Sequence, residues 1–200
     1  MFYPFEIIGT KVLRGDYLKK KVFWEHIGGA GCEYLSINKN NSSLISEGLV
    51  LFTTNEDVHN FSYKVVMDSS WITKSVEISD RETNHTLNLQ SDGKGNWYAN
   101  KSQLPDMFGA IDVDISITPF SNSLPINRFK WREGEERNFQ MLYIDIPSLE
   151  LKKLEQRYKF IGNSTQGRKF QYNCRDYETI ITVDKFGIVV DYPDLFIRRF

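Results

Sequence analysis

Residues 148–162 read SLELKKLEQRYKFIG, and whether they form a helix or a strand decides the fold. As a helix, Leu151, Leu154, Tyr158 and Ile161 fall at i, i+3, i+7 and i+10, with Ser148 able to cap the start and Gly162 the end. As a strand, the segment places Glu155 and Arg157 on one face and Tyr158 and Phe160 on the other. The local pattern taken alone slightly favours the helix.

The surrounding chain speaks for strands. From about residue 48 onward, apolar and polar residues alternate with a period of two. In FSYKVVM, Phe61, Tyr63, Val65 and Met67 share a side, while in WITKSVEIS, Ile72, Val76 and Ile78 oppose Trp71, Thr73, Ser75 and Glu77. FQMLYIDI (139–146) and ETIITVD (178–184) behave in the same way. Turn-forming runs separate them at Asn55-Glu56-Asp57, Asp80-Arg81, Asp92–Gly95, Asn163–Gly167 and Asp184–Gly187. Such punctuation predicts an all-β, mainly antiparallel single domain, since no linker or repeat divides the chain. A sheet of roughly ten or more strands curls or closes to protect its edges. Its inner face is then either filled by side chains or left enclosing a cavity.

Bulk properties exclude more than they identify. A formal net charge of −1 in 200 residues gives no electrostatic pull toward nucleic acid. No apolar run approaches the ~18 residues of a spanning helix, and the N-terminal stretch, with Pro4, Glu6 and its lysines after the apolar part, is a poor secretory signal. Cys32 and Cys174 make no CxxC pair and read as reduced thiols, so the expected compartment is the cytoplasm.

The candidate chemistry concentrates in Asp112–Arg128, DVDISITPFSNSLPINR. Ile111, Val113, Ile115 and Ile117 would share one face and Asp112, Asp114, Ser116 and Thr118 the other. Two aspartates at i and i+2 of a strand lie roughly 7 Å apart. Buried together they form an acid/base pair; otherwise they form a solvated face, or pair with Arg128, Arg157 or a lysine. Asn122 and Arg128 either fix the loop, which Pro125 directs back toward a strand near Ile126–Lys130, or hold an anion or a sugar hydroxyl. Glu155 and Arg157 on a strand could line an interior together with the aspartates. His26, His59 and His85 match no metal spacing, there is no G-x-S-x-G elbow, and Gly28–Gly31 lacks the following helix of a phosphate loop. No cofactor or metal is expected.

Five segments in this order, VFWEHIGGAGCEYLSI (22–37), WITKSVEI (71–78), the aspartate run, LEQRY (154–158) and VVDYPDLFIRR (189–199), resemble a bacterial family named "putative glycolipid-binding". Phe196 stands where many members carry tryptophan. The resemblance implies a spiral β-roll over residues 22–200, an extension over 1–21, and strand instead of helix for LEQRYKF. It also implies a lipid or glycolipid as ligand. Asp112, Asp114, Asn122, Arg128, Glu155 and Arg157 are then the candidates for the polar head, and Trp71 and Tyr158 for aromatic contacts. That reading requires a cavity of several hundred cubic ångströms with apolar walls and a polar end. The alternatives are an enzyme using Asp112 and Asp114 on a small sugar or acid, and an interaction scaffold.

Overall fold

The structure, a computed structural model, describes residues 19–39, 42–54 and 57–200. The first half of the chain forms β1 (Lys19–His26), β2 (Gly31–Lys39), β3 (Ser43–Thr53), β4 (Val58–Asp68), β5 (Thr73–Asp80), β6 (Thr86–Ser91), β7 (Trp97–Ala99) and β8 (Ser102–Gln103). The second half forms β9 (Asp112–Ile115), a short helix α1 (Ser123–Arg128), β10 (Glu136–Ile144), β11 (Leu151–Ser164), β12 (Gly167–Cys174), β13 (Tyr177–Val183), β14 (Val189–Tyr192) and β15 (Phe196–Arg198). All fifteen strands belong to one sheet, ordered β8 through β1 and then β15 back to β9. The chain therefore runs outward from the middle, crosses over at residues 104–111, and returns to the middle. There β15 pairs with β1 through Trp24–Arg198, Glu25–Ile197 and His26–Phe196. Every pairing is antiparallel except β9 with β10, and β8 does not pair with β9, so the curled sheet is not closed into a barrel. No described helix is long and apolar enough to cross a membrane.

Alternation sets the faces. Phe61, Tyr63, Val65 and Met67 all point into the core, as do Leu35 and Ile37 of β2. Residues 148–162 belong largely to a strand, β11, and the helical stripe is a coincidence of spacing. Gln156, Tyr158 and Phe160 are buried while Ile161, a member of that stripe, is exposed. Hydrogen-bonded partners on both sides, β10 and β12, outweigh the weak helical preference of a charged segment. Ser148 caps nothing helical; its hydroxyl donates to Asp145 at 2.7 Å. Gly162 sits beside an irregularity in the β11–β12 pairing with φ 143°, where only glycine is relaxed.

Two other expectations are corrected. In β5, Thr73 faces inward with Val76 and Ile78, because the pairing shifts between Val66 and Met67 and skips Lys74. Trp71 is not in that strand but in the preceding turn, with a left-handed φ of 66°. The segment after β9 does not return as a strand. It forms a 3-10 turn over Pro119–Asn122, begun by the Thr118 hydroxyl accepting the Phe120 N–H at 3.1 Å, and then α1. Pro125 lies in the first helical turn, where its missing N–H has no partner to lose. Burial of Phe120, Leu124 and Ile126, worth roughly 1.5–3 kcal/mol each, outweighs the extended preference of the residue before proline.

This segment plugs the curled sheet. Phe120 stacks on Tyr63 of β4 (centroids 6.3 Å apart), while Asn122 accepts a 2.8 Å hydrogen bond from Tyr158 of β11, so the plug touches both halves. Trp24 and Trp97 are wholly enclosed and their indole N–H groups find carbonyls, of Val189 at 2.9 Å and Ala110 at 2.7 Å. Side chains thus fill the centre of the roll.

Candidate functional site

The aspartate strand is enclosed on both faces, so its alternation does not separate a wet side from a dry one. Asp112 is 0% exposed, as is Val113. Of the partners open to it in sequence, Asp112 takes Arg128, whose Nη2 lies 2.9 Å from Oδ2. The contact is close but off the donor direction, and neither carboxylate oxygen accepts a hydrogen bond from the protein. Desolvation therefore dominates and pushes Asp112 up to about 7, with the arginine charge pulling back only part of the shift. The Arg128 guanidinium lies over Phe129 and Phe139, 5.1 and 5.4 Å from their ring centroids.

Asp114, half-buried, accepts a 2.6 Å hydrogen bond from Gln156 Nε2, and burial against that bond raises its carboxyl to about 6. The Gln156 carbonyl in turn accepts from the Tyr158 hydroxyl at 3.1 Å, which also donates to Asn122. The structure thus joins Asp112 with Arg128, and separately Asp114 with Gln156 and Tyr158, whose one hydroxyl proton is shared between the Gln156 and Asn122 carbonyls. It does not bring Glu155 and Arg157 to them. Both lie on the outer face, where Gln140 donates to Glu155 at 2.9 Å and Arg157 stands 3.9 Å from Glu136, beside a shallow basin that also includes Lys153 and Arg175. The inward residues of LEQRY are Gln156 and Tyr158, the opposite choice of face for its charged pair. Trp71 packs on the core from its turn. Asp112, the more shifted carboxyl, is sealed within the plug instead of standing in the open cleft that acid/base work requires.

A second buried cluster is absent from the sequence reading. Glu33, 1% exposed, accepts hydrogen bonds at Oε1 from Tyr63 (2.5 Å) and Thr118 (2.9 Å), while Oε2 has no partner. Burial drives its carboxyl up to about 8 despite both bonds. The available signal was phase, because Glu33 falls in step with Leu35 and Ile37. Tyr63 reaches Glu33 by lying across Gly48, its cross-strand neighbour: a Cβ there would stand 2.1 Å from the tyrosine ring. Gly48→Ala is therefore expected to displace the ring and destabilise the protein by about 2 kcal/mol. Chemical unfolding of the variant, alone and combined with Tyr63→Phe, measures it; an unshifted midpoint contradicts the packing.

The one-ended distribution of strand termini leaves a hollow where the two halves meet. The ends of β1, β3 and β10, the starts of β2 and β15, and the residues just after β9 surround a half-enclosed pocket of about 300 Å³. Its walls are largely apolar: Val50, Leu51, Phe52, Ile117, Ile146 and Phe196. Its polar groups are His26, Ser116, Tyr143 and Asp145, with the Cys32 thiol beside them. His26 stacks on Phe196 with centroids 4.8 Å apart, and burial lowers its pKa. Asp145 Oδ2 accepts from Ser148 at 2.7 Å, and the Tyr143 hydroxyl lies 3.4 Å from Oδ1. Ser116 Oγ accepts the Ile146 N–H at 3.0 Å. None of the residues proposed from the sequence for head-group or aromatic contacts lines this pocket.

Fold and hollow together describe a curled, plugged β-sheet with an amphipathic pocket at one end. The sequence profile of the family described as "Putative glycolipid-binding" matches residues 21–198, and the chain belongs to that family. The fold is similar to the crystal structure, at 1.80 Å resolution, of a protein of the DUF1089 family from Pseudomonas aeruginosa. The TM-score is 0.72 at 24% identity, over 83% of this chain and 91% of that one. No curated protein matches the sequence.

Proposed function

We propose that this protein is a non-enzymatic binder of a single-chain amphiphile, a glycolipid or a lipid of similar build, and that the ligand occupies the pocket at the end of the roll. The observation that carries this is the pocket's composition, apolar walls meeting a polar end, in a volume at the lower limit of small-molecule sites. A tail of about ten carbons would contribute roughly 8 kcal/mol gross at ~0.8 kcal/mol per methylene. Association itself costs several kcal/mol, so micromolar binding needs the polar end as well. Asp112, Asp114, Asn122, Arg128 and Tyr158 then act as the structural lock of the plug and not as the head-group site. Both cysteines are free, which suits a reducing compartment, and we place the protein in the cytoplasm.

Phe52 lines the pocket in phase with inward Val50 and is only partly buried, so a larger side chain there fills the hollow. Calorimetric titration with monodecanoylglycerol is expected to show one site in the unaltered protein and none in a folded Phe52→Trp. Equal binding by both proteins, or by neither, contradicts the assignment.

A further inference from the structure

We infer that the pocket selects uncharged, hydroxyl-bearing head groups over carboxylate, sulfate or phosphate ones, and that Asp145 sets the choice. The inference rests on the pocket assignment above and adds the chemistry of its polar end. Among the described residues no lysine or arginine lines the hollow, and its one carboxylate is Asp145. A carboxylate has about four acceptor positions. Ser148 takes one, and the Tyr143 hydroxyl is too distant for a strong second bond. Acceptor capacity therefore remains for hydroxyl groups of a ligand.

The other polar groups fit the same partner. Ser116 Oγ already accepts from Ile146, which leaves its own O–H to donate. His26, with its pKa lowered by burial, presents a neutral ring at neutral pH, a donor on one nitrogen and an acceptor on the other. A sugar or glycerol hydroxyl, donor and acceptor at once, satisfies this set. An anionic head group brings only acceptors and a like charge.

Among the described residues the nearby cations are already engaged. Arg198 and Arg199, which follow Phe196 closely in sequence, are held by Asp184 at 2.8 Å and Glu25 at 2.7 Å. Behind the wall, the buried polar group is another acid, Glu33, which accepts from Thr118, the residue after Ile117, and supplies no positive charge. An anion within about 5 Å of Asp145, in a medium of effective dielectric near 20, loses roughly tenfold or more in affinity.

The test is paired titration at about pH 7.5 with monodecanoylglycerol and with decanoate, which share a tail and differ in head charge, each below its micellar concentration. The expected result is at least roughly tenfold weaker binding of decanoate, narrowing to about threefold or less in Asp145→Asn. Decanoate binding as tightly as the glycerol ester overturns the head-group selection and leaves the pocket assignment standing. Failure of both ligands to bind overturns both. A discrimination that persists in a folded Asp145→Asn removes Asp145 as its source. The comparison in the unaltered protein stands even if that variant does not fold.

Discussion

Between about pH 5 and pH 8 the protein is expected to lose several kcal/mol of folding stability, and Glu33→Gln to recover a large part of it. Burial holds the Glu33 pKa at about 8 in the fold, against the ordinary 4.5 of a glutamate. Below pH 4.5 the folded and unfolded chains both hold this proton, and the group does not affect stability. From there to about pH 8 the unfolded chain releases the proton while the fold keeps it, so stability falls by up to ~1.4 kcal/mol per pH unit. Above that the loss is complete. Asp112, raised from 3.8 to about 7, and Asp114, raised to about 6, add losses of the same sign over narrower windows. Asp114 contributes least because water reaches it. Asp68 and Asp184 act oppositely, since their lowered pKa values make their stabilisation vanish only as the pH falls through the acid range. Maximum stability should therefore lie near pH 4 to 5. Urea unfolding across this range measures it. Glu33→Gln is expected to gain about 2 kcal/mol or more at pH 8 and nothing near pH 4.5. A flat profile in the unaltered protein would falsify the burial of these carboxyls.

Arg128→Met should be the most damaging single change to the plug. Among the described residues it removes the only cation in contact with Asp112, a carboxylate that has no exposure and no hydrogen bond. Breaking a buried pair from one side costs about 3–5 kcal/mol when the remaining group stays charged. Asp112 can escape part of that cost by taking a proton. The loss should therefore approach 3 kcal/mol near pH 8 and shrink to about 1 kcal/mol near pH 5, where the remaining cost is lost packing of the arginine stem over Phe129 and Phe139. Adding Asp112→Asn to Arg128→Met should restore much of the stability at pH 8. If the double variant is as unstable as the single one at both pH values, the guanidinium serves packing alone.

Much of the fold was legible because period-two alternation survives wherever one sheet face is buried, as in Phe61–Met67. It failed where geometry breaks the period. The shift opposite Met67 turned Thr73 inward, and enclosure of β9 on both faces buried Asp112. SLELKKLEQRYKFIG satisfies both periods over a short span, and only its partners, β10 and β12, decide between them. The plug was read as a loop because proline after Leu124 argues locally for extended chain, whereas the drive to fill the curl is tertiary.

The polar lock was partly legible. Asp112 does meet Arg128, and Asp114, Tyr158 and Asn122 form a second group, whose link, Gln156, lies beside the more conspicuous charges of Glu155 and Arg157. The pocket was not legible at all. His26, Phe52, Ser116, Asp145 and Phe196 come from five distant strand ends and adjoining turns, and no local pattern marks them. Glu33 was visible in principle, as a carboxylate in step with two core residues. A charged residue at a core phase is a signal to seek its partners, here Tyr63 and Thr118.

The most direct measurement is native mass spectrometry of gently purified protein, followed by organic extraction of what it carries. The expected result is a discrete added mass that extracts as an uncharged single-chain amphiphile and is missing from Phe52→Trp. A bare protein mass, with no monodecanoylglycerol adduct on addition of that ester, would contradict the claim that the end of the roll is a lipid site.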